Sequence, residues 1–250
     1  MKRTIVIIIA IAAMILKSTA INLYGKRILY IGDSITDGGW GCSGGSMAPS
    51  DQRNHWDKNH IYGHSYMFIC AAQLQATYPD SDIICLNRGI SGDDINRLKA
   101  RWQEDAIATK PDVISLLEGT NDVLYYLGGD TTKPFDINEW EKHYRTLLDM
   151  SRNANPQIKI VLGTPFVAKA GNIGAAPDWH TRDSLINLMA DRIRYIAKEY
   201  DAILVDYNRM FAPLFADSNK ATYWCWDGVH PTPAGHYRMA ELWMEAVINK

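Results

Sequence analysis

Five short runs rich in Ile, Val and Leu, at 27–31, 82–87, 112–117, 158–163 and 202–206, carry few interior polar residues. Strands buried on both faces read this way, because neither face meets water. Between and after these runs lie longer segments with helical spacing, at 63–78, 94–109, 138–153, 181–200 and 233–248. In the second of them Ile95, Leu98 and Trp102 fall three and four apart and form one apolar stripe. In the fourth, Leu185, Leu188, Met189, Ile193 and Ile196 do the same. A chain that alternates in this way is driven to a parallel sheet with right-handed crossovers and helices on both faces. The expectation is an α/β fold, a three-layer α/β/α sandwich around a five-stranded parallel, flavodoxin-like sheet. A hydrophobic content of 47% is ample for its core.

The first twenty residues stand apart from that pattern. Lys2 and Arg3 precede an apolar run from Ile5 to Leu16, and Ser18-Thr19-Ala20 offers small residues for cleavage. This is the layout of a signal peptide, and the apolar run is short of the roughly 20 residues a spanning helix needs. Residues 1–20 are therefore expected to be removed, leaving 21–250 as a single exported domain, periplasmic or secreted, with no stable membrane insertion after cleavage. An uncleaved N-terminal anchor is the rival reading. Without Lys2, Arg3 and Lys17 the formal charge moves from −2 to −5, and no basic stripe appears, which argues against nucleic acid as a partner. The four cysteines lack metal-type spacing. Cys70 and Cys85 read as buried hydrophobes, whereas Cys42 and Cys225 lie in loop segments where an oxidising compartment leaves a disulfide open.

The connections are uneven. The stretches 36–61, 121–136, 164–178 and 211–229 are long, and each follows a strand's carboxyl end or leads toward His230. Long loops in compact domains are usually functional. The opposite joints, at 78–81 and 110–111, are tight. One edge of the sheet is thus expected to carry the working surface, as in open α/β sheets generally.

That edge collects complementary chemistry. Ser34 follows the first strand; Gly92 follows the second, within Asn87-Arg88-Gly89-Ile90-Ser91-Gly92-Asp93; Asn121 follows the third; Asp227 and His230 come last, three residues apart. A hydroxyl, an imidazole, a carboxylate to orient it and amide donors are the parts that acyl transfer needs. Each has a plainer reading beside it. Ser34, Asp33, Asp227 and the Asp37-Gly38 pair could all be turn residues, Asn121-Asp122 could cap a short helix, Gly92 could serve only a positive φ, and His230 could be a surface histidine.

Taken together, GDSIT (32–36), NRGISGD (87–93), GTND (119–122) and DGVHP (227–231) resemble the four blocks of the SGNH/GDSL hydrolase superfamily, in the family's order and across nearly the whole of the expected mature domain. The resemblance implies Ser34 as nucleophile, His230 as base and Asp227 as its orienting carboxylate. It implies an oxyanion hole from the N–H groups of Ser34 and Gly92 and the side chain of Asn121, and neither metal nor organic cofactor.

The substrate is read from the loops. The segment 38–61 is dense in Gly, Ser, Asn and His and contains Trp40 and Trp56; Trp179, Trp224 and Trp226 fall in later loops near Tyr223. Aromatic faces among polar side chains suit sugar rings, so Trp40, Trp56 and Trp226 are candidate substrate contacts. The expected partner is a small-molecule or polysaccharide ester, and the superfamily resemblance points to carbohydrate O-acetylesterases. Lipid-like acyl substrates, as for a lysophospholipase or thioesterase, and a non-catalytic glycan-binding protein stay open as alternatives. The oligomeric state is left undetermined. Two decoys are set aside. Gly63-His64-Ser65-Tyr66-Met67 lacks the last glycine of a nucleophile elbow and has no strand before it. His60 and His64 have the spacing of some zinc sites without the glutamate, and with His55 they leave only a weak metal reading.

Overall fold

The structure, a computed structural model, describes residues 23–248. The segment expected to be a signal peptide lies outside them. Five parallel strands, β1 (Arg27–Gly32), β2 (Ile84–Gly89), β3 (Val113–Leu117), β4 (Lys159–Gly163) and β5 (Ile203–Val205), form one sheet in the order β2-β1-β3-β4-β5. This is the expected flavodoxin-like order. It makes β1 the strand where the chain's direction of travel across the sheet reverses, the place where such sheets bind ligands.

Ten helices among the described residues cover the sheet or decorate its carboxyl edge: α1 (Ser34–Asp37), α2 (Tyr66–Thr77), α3 (Ile95–Asp105), α4 (Thr120–Gly128), α5 (Ile137–Ala154), α6 (Gly171–Gly174), α7 (Trp179–Glu199), α8 (Tyr207–Phe215), α9 (Ser218–Trp224) and α10 (Pro233–Ile248). Alternate strand residues face opposite layers. Ile28, Tyr30, Val113 and Val161 pack with Tyr66, Cys70 and Leu74 of α2, Phe211 of α8 and Met239 and Trp243 of α10. Leu29, Ile31, Ile114, Leu116 and Ile160 pack with Leu98 and Trp102 of α3, Tyr144 and Leu147 of α5 and Met189 and Ile193 of α7. Each such buried side chain contributes roughly 1.5–3 kcal/mol. Buried indoles also find partners: Trp243 Nε1 donates to Ser115 Oγ of β3 at 3.0 Å, and Trp102 Nε1 to Ser151 Oγ of α5 at 3.2 Å.

Several sequence expectations need correction. Three of the long connections contain helices, α4 in the second, the single turn α6 in the third and the end of α8 with α9 in the fourth; Trp179 opens α7 and Trp224 closes α9, so neither is a loop residue. The core face of α7 is Ile186, Met189, Ile193 and Ile196, while Leu185 is only partly buried and Leu188 is exposed. The disulfide left open between Cys42 and Cys225 is not formed; all four cysteines are free, Cys42 exposed and the other three buried. Among the described residues, no helix is long and apolar enough to cross a membrane.

Candidate active site

The strand registers bring three of the motif segments to one level. Gly32 pairs with Gly89 on one side and Leu117 on the other, so the chain leaves β1, β2 and β3 at adjacent points just before Ser34, Gly92 and Asn121. Glycine at position 32 is a packing requirement, because a Cβ there would lie 2.0 Å from the carbonyl oxygen of Leu117. Ser34 is the first residue of α1, and Asp33 caps the helix by accepting the Ile35 N–H at 2.9 Å. The Ser34 N–H therefore sits at a helix start, where no intrahelical acceptor exists for it.

Ser34 Oγ lies 2.9 Å from His230 Nε2, and His230 Nδ1 lies 2.6 Å from Asp227 Oδ2. The two ends of the chain thus meet in one hydrogen-bonded relay. The other oxygen of Asp227 accepts the backbone N–H groups of Val229 and His230, at 2.9 and 2.7 Å. The same carboxylate therefore shapes the loop and orients the ring. The loop is anchored to the segment after β4, where Ala168 N–H donates to Gly228 O at 2.8 Å.

Electrostatics favour this assignment of roles. Burial pushes the Asp227 carboxyl up, but the hydrogen bonds from the His230 ring and from the N–H groups of His230 and Val229 outweigh it and hold the carboxyl below its ordinary range. The hydrogen bond to Asp227 raises the pKa of His230, with further support from the charges of Asp227 and Asp33. Burial pushes Asp33 to about 7, against the pull of the Ile35 N–H and of His230.

Gly92 occupies a turn closed by Asp93 N–H to Ile90 O at 3.2 Å, with φ of +82°. That conformation favours glycine, and a Cβ there would also meet Met47 Cε and Tyr125 Oη at 3.1 Å. The Gly92 carbonyl accepts from Arg97 Nη1 and Tyr125 Oη, both at 2.7 Å. Asn121 is buried at the start of α4, and its Nδ2 donates to Asp93 O at 2.8 Å, tying it to the same turn. An amide nitrogen carries two protons, so one remains for a ligand.

The three tryptophans proposed as substrate contacts separate. Trp56 and Trp226 are exposed, at 82% and 62%, and Trp226 immediately precedes Asp227. Trp40 is buried at 1% exposure; its Nε1 donates to Gly89 O at 2.7 Å, and Arg53 and Arg88 lie over its ring. The expectation that Trp40 contacts substrate is therefore wrong, because its ring forms the packed floor of the loop. Sequence reasoning also treated Asp37 as turn chemistry and passed over Arg53. Both are buried and joined by a two-pronged ion pair, at 2.6 and 3.2 Å. No local signal marks this pair, since a carboxylate and a guanidinium in a polar loop read as solvated.

Ser65, the decoy serine, donates its hydroxyl to Thr36 O and belongs to the packing of α1 against α2. Among the described residues one group combines metal-ligand types: Cys42, Asp57 and His60 present their ligand atoms within 4.8 Å of one another. It differs from the His55, His60 and His64 set considered from sequence, and it shares no residue with the Ser34 relay. His60 Nδ1 is already hydrogen-bonded to Asp57 Oδ2 at 2.7 Å.

A parallel sheet with a serine at its central strand end, in reach of an Asp-oriented histidine, has the form of a hydrolase of the serine type. Comparison with known proteins makes this specific. The model of the GDSL-like lipase/acylhydrolase family matches residues 30–238, and the chain belongs to that family. It is an esterase. It is 33% identical over 226 residues to an acetylxylan esterase of Geobacillus stearothermophilus, covering 89% of this chain and 94% of that one. The crystal structure of an acetylxylan esterase from the same organism superposes with a TM-score of 0.72 at 31% identity, over 89% of this chain and 94% of that one. A candidate GDSL-like lipase from Parabacteroides merdae superposes with a TM-score of 0.77 at 30% identity, over 91% of this chain and 98% of that one.

Proposed function

We propose that the protein is an exported carbohydrate O-acetylesterase that uses Ser34, His230 and Asp227 as its catalytic relay. The observation that carries this reading is the continuous hydrogen-bonded line from Ser34 Oγ through His230 to Asp227, at 2.9 and 2.6 Å. Neutral His230, its Nδ1–H held by Asp227, accepts the Ser34 proton at Nε2 as the serine oxygen attacks the ester carbonyl. The carbonyl oxygen becomes negative in the tetrahedral intermediate, where the N–H groups of Ser34 and Gly92 and the Asn121 amide stabilise it. His230 then gives its proton to the departing sugar hydroxyl. Water, deprotonated by the same imidazole, attacks the acyl-serine; acetate leaves and the proton returns to Ser34.

The acetylxylan esterases among its relatives support an acetylated polysaccharide as substrate. Exposed Trp56, Tyr223 and Trp226 supply ring faces suited to sugars. The test is acetate release from acetylated xylans, pectins and acetylated monosaccharides, with Ser34→Ala as control. Loss of release in Ser34→Ala is expected. Equal rates for both proteins would remove the catalytic assignment, and rates rising steadily from acetate to octanoate esters would replace the acetylesterase by a longer-chain acyl-esterase. N-terminal sequencing of the exported protein is expected to begin at Ile21.

A further inference from the structure

A buried ion pair lies between the first long loop and the turn that carries Gly92. Asp37, at the end of α1, is fully buried and accepts six hydrogen bonds. Oδ1 takes Arg53 Nη1 at 2.6 Å, Gly39 N–H at 3.1 Å and Ser43 Oγ at 3.5 Å. Oδ2 takes Arg53 Nη2 at 3.2 Å, Ser91 N–H at 3.0 Å and Ser91 Oγ at 2.8 Å. Arg53 uses all five of its N–H donors, since Nε binds Ala48 O at 2.9 Å, Nη2 also binds Ser46 O at 2.9 Å and Nη1 also reaches Trp40 O at 3.4 Å. The pair is thus saturated, which is what a buried charge requires.

We propose that Arg53 is a positioning residue: through Asp37 it holds the Ser91–Gly92 peptide, and with it the Gly92 N–H, in the orientation that stabilises the oxyanion. The inference rests on the esterase mechanism proposed above. A peptide unit is planar, so its N–H direction is set by the two residues that flank it. Ser91 is fixed on one side by Asp37, through both its N–H and its hydroxyl. Gly92 is fixed on the other side, its carbonyl held by Arg97 and Tyr125. Between these anchors the Gly92 N–H has little freedom. Arg53 adds a second constraint, because it binds the carbonyls on both sides of Met47, whose side chain would be 3.1 Å from a Cβ at Gly92. One guanidinium therefore locks the first loop, the end of α1 and the oxyanion turn into a single body.

The pair touches no reacting atom, so its effect must reach the rate through donor geometry. The ceiling is the loss of one oxyanion donor, roughly 100- to 1000-fold in kcat. The test compares Arg53→Lys, which keeps the charge but loses the planar fork, with Ser91→Ala, which removes one contact to Asp37. Steady-state kinetics on p-nitrophenyl acetate are paired with inhibition by phenylboronic acid, whose tetrahedral serine adduct places an oxygen in the oxyanion hole. Expected are a fall in kcat of about 10- to 100-fold for Arg53→Lys and about 10-fold for Ser91→Ala, both inside that ceiling, with KM within threefold of wild type. The boronate inhibition constant should rise in step with the fall in kcat. An unchanged kcat in either folded variant, or a loss confined to KM with boronate affinity intact, overturns the positioning role. If Arg53→Lys does not fold, Ser91→Ala decides alone. Wild-type protein inactive on acetyl esters would overturn the esterase mechanism and this inference together; wild-type activity with unaltered variants overturns only the inference.

Discussion

Asp227 grips His230 twice, accepting the ring Nδ1–H through one oxygen at 2.6 Å and the backbone N–H through the other at 2.7 Å. The ring and the peptide that carries it are fixed by one carboxylate. In the proposed mechanism the rate therefore follows the ionisation of His230, whose pKa this contact raises from 6.5.

The pH profile follows with a definite sign. His230 must be neutral to take the serine proton, so kcat/KM on acetyl esters is expected to fall as the pH is lowered, with its inflection above 6.5. Asp227→Asn is expected to move that inflection down and to lower kcat by about 10^4-fold, because an amide cannot hold the imidazole in the productive tautomer. A pH–rate profile of both proteins checks this; activity unchanged from about pH 8 down to about pH 4 would rule out His230 as the base.

Asn121 supplies a second expectation. Its Nδ2 is steadied by Asp93 O at 2.8 Å, and in the proposed mechanism it donates to the oxyanion once charge develops. Asn121→Ala should therefore lower kcat by roughly 100- to 1000-fold while KM changes little. Steady-state kinetics decide it, since a loss carried by KM would mark Asn121 as a substrate-binding residue instead.

Beneath the site lies a buried carboxyl with no mechanistic duty. Glu118 Oε1 accepts the Gly119 N–H, Oε2 has no partner, and burial with the nearby Asp33 and Asp122 charges raises its pKa well above 4.5. The folded state thus retains a proton that the unfolded chain releases, so this group's contribution to stability declines as pH rises from about 4.3 toward the folded pKa, by up to about 1.4 kcal/mol per pH unit. Glu118→Gln mimics the protonated acid. Its urea-unfolding free energy should decline less steeply than that of wild type between pH 5 and pH 7, and parallel slopes would refute the idea.

The tryptophans offer a contrast between stability and binding. Trp40→Phe should destabilise the protein by about 2–4 kcal/mol, since it strands the buried Gly89 carbonyl and leaves a void. Trp226→Ala should change stability by less than about 0.5 kcal/mol, as exposed positions usually do, yet raise KM for acetylated xylan. Thermal melts and substrate kinetics on both variants separate the two roles.

The strands themselves were readable because strands buried on both faces carry continuous apolar runs, and Leu29, Ile31, Ile114 and Leu116 could hardly stand elsewhere. Ser34, Asp227 and His230 were legible as motif residues, and the structure places them in one relay. The helices within the long connections were not legible, because α6 and α9 are short and their packing, more than their period, makes them helical. Asp37 and Arg53 were invisible for a related reason. Charged residues 16 positions apart in a polar loop give no sign that they will be buried together. Trp40 failed in the opposite sense: an indole in a glycine-rich loop suggests an exposed platform, but Gly89 O and two guanidinium groups draw it inward.

The distance along the chain between Ser34 and His230 also bears on biosynthesis. Their contact spans 196 positions, and the histidine arrives just ahead of α10, which docks through His236 Nδ1 accepting the Tyr66 N–H. Synthesis delivers Ser34 well before His230. A nascent chain, however well its first strands have formed, leaves Ser34 without its imidazole partner until residue 230 has been made, so under the proposed mechanism the serine stays idle while the sheet assembles.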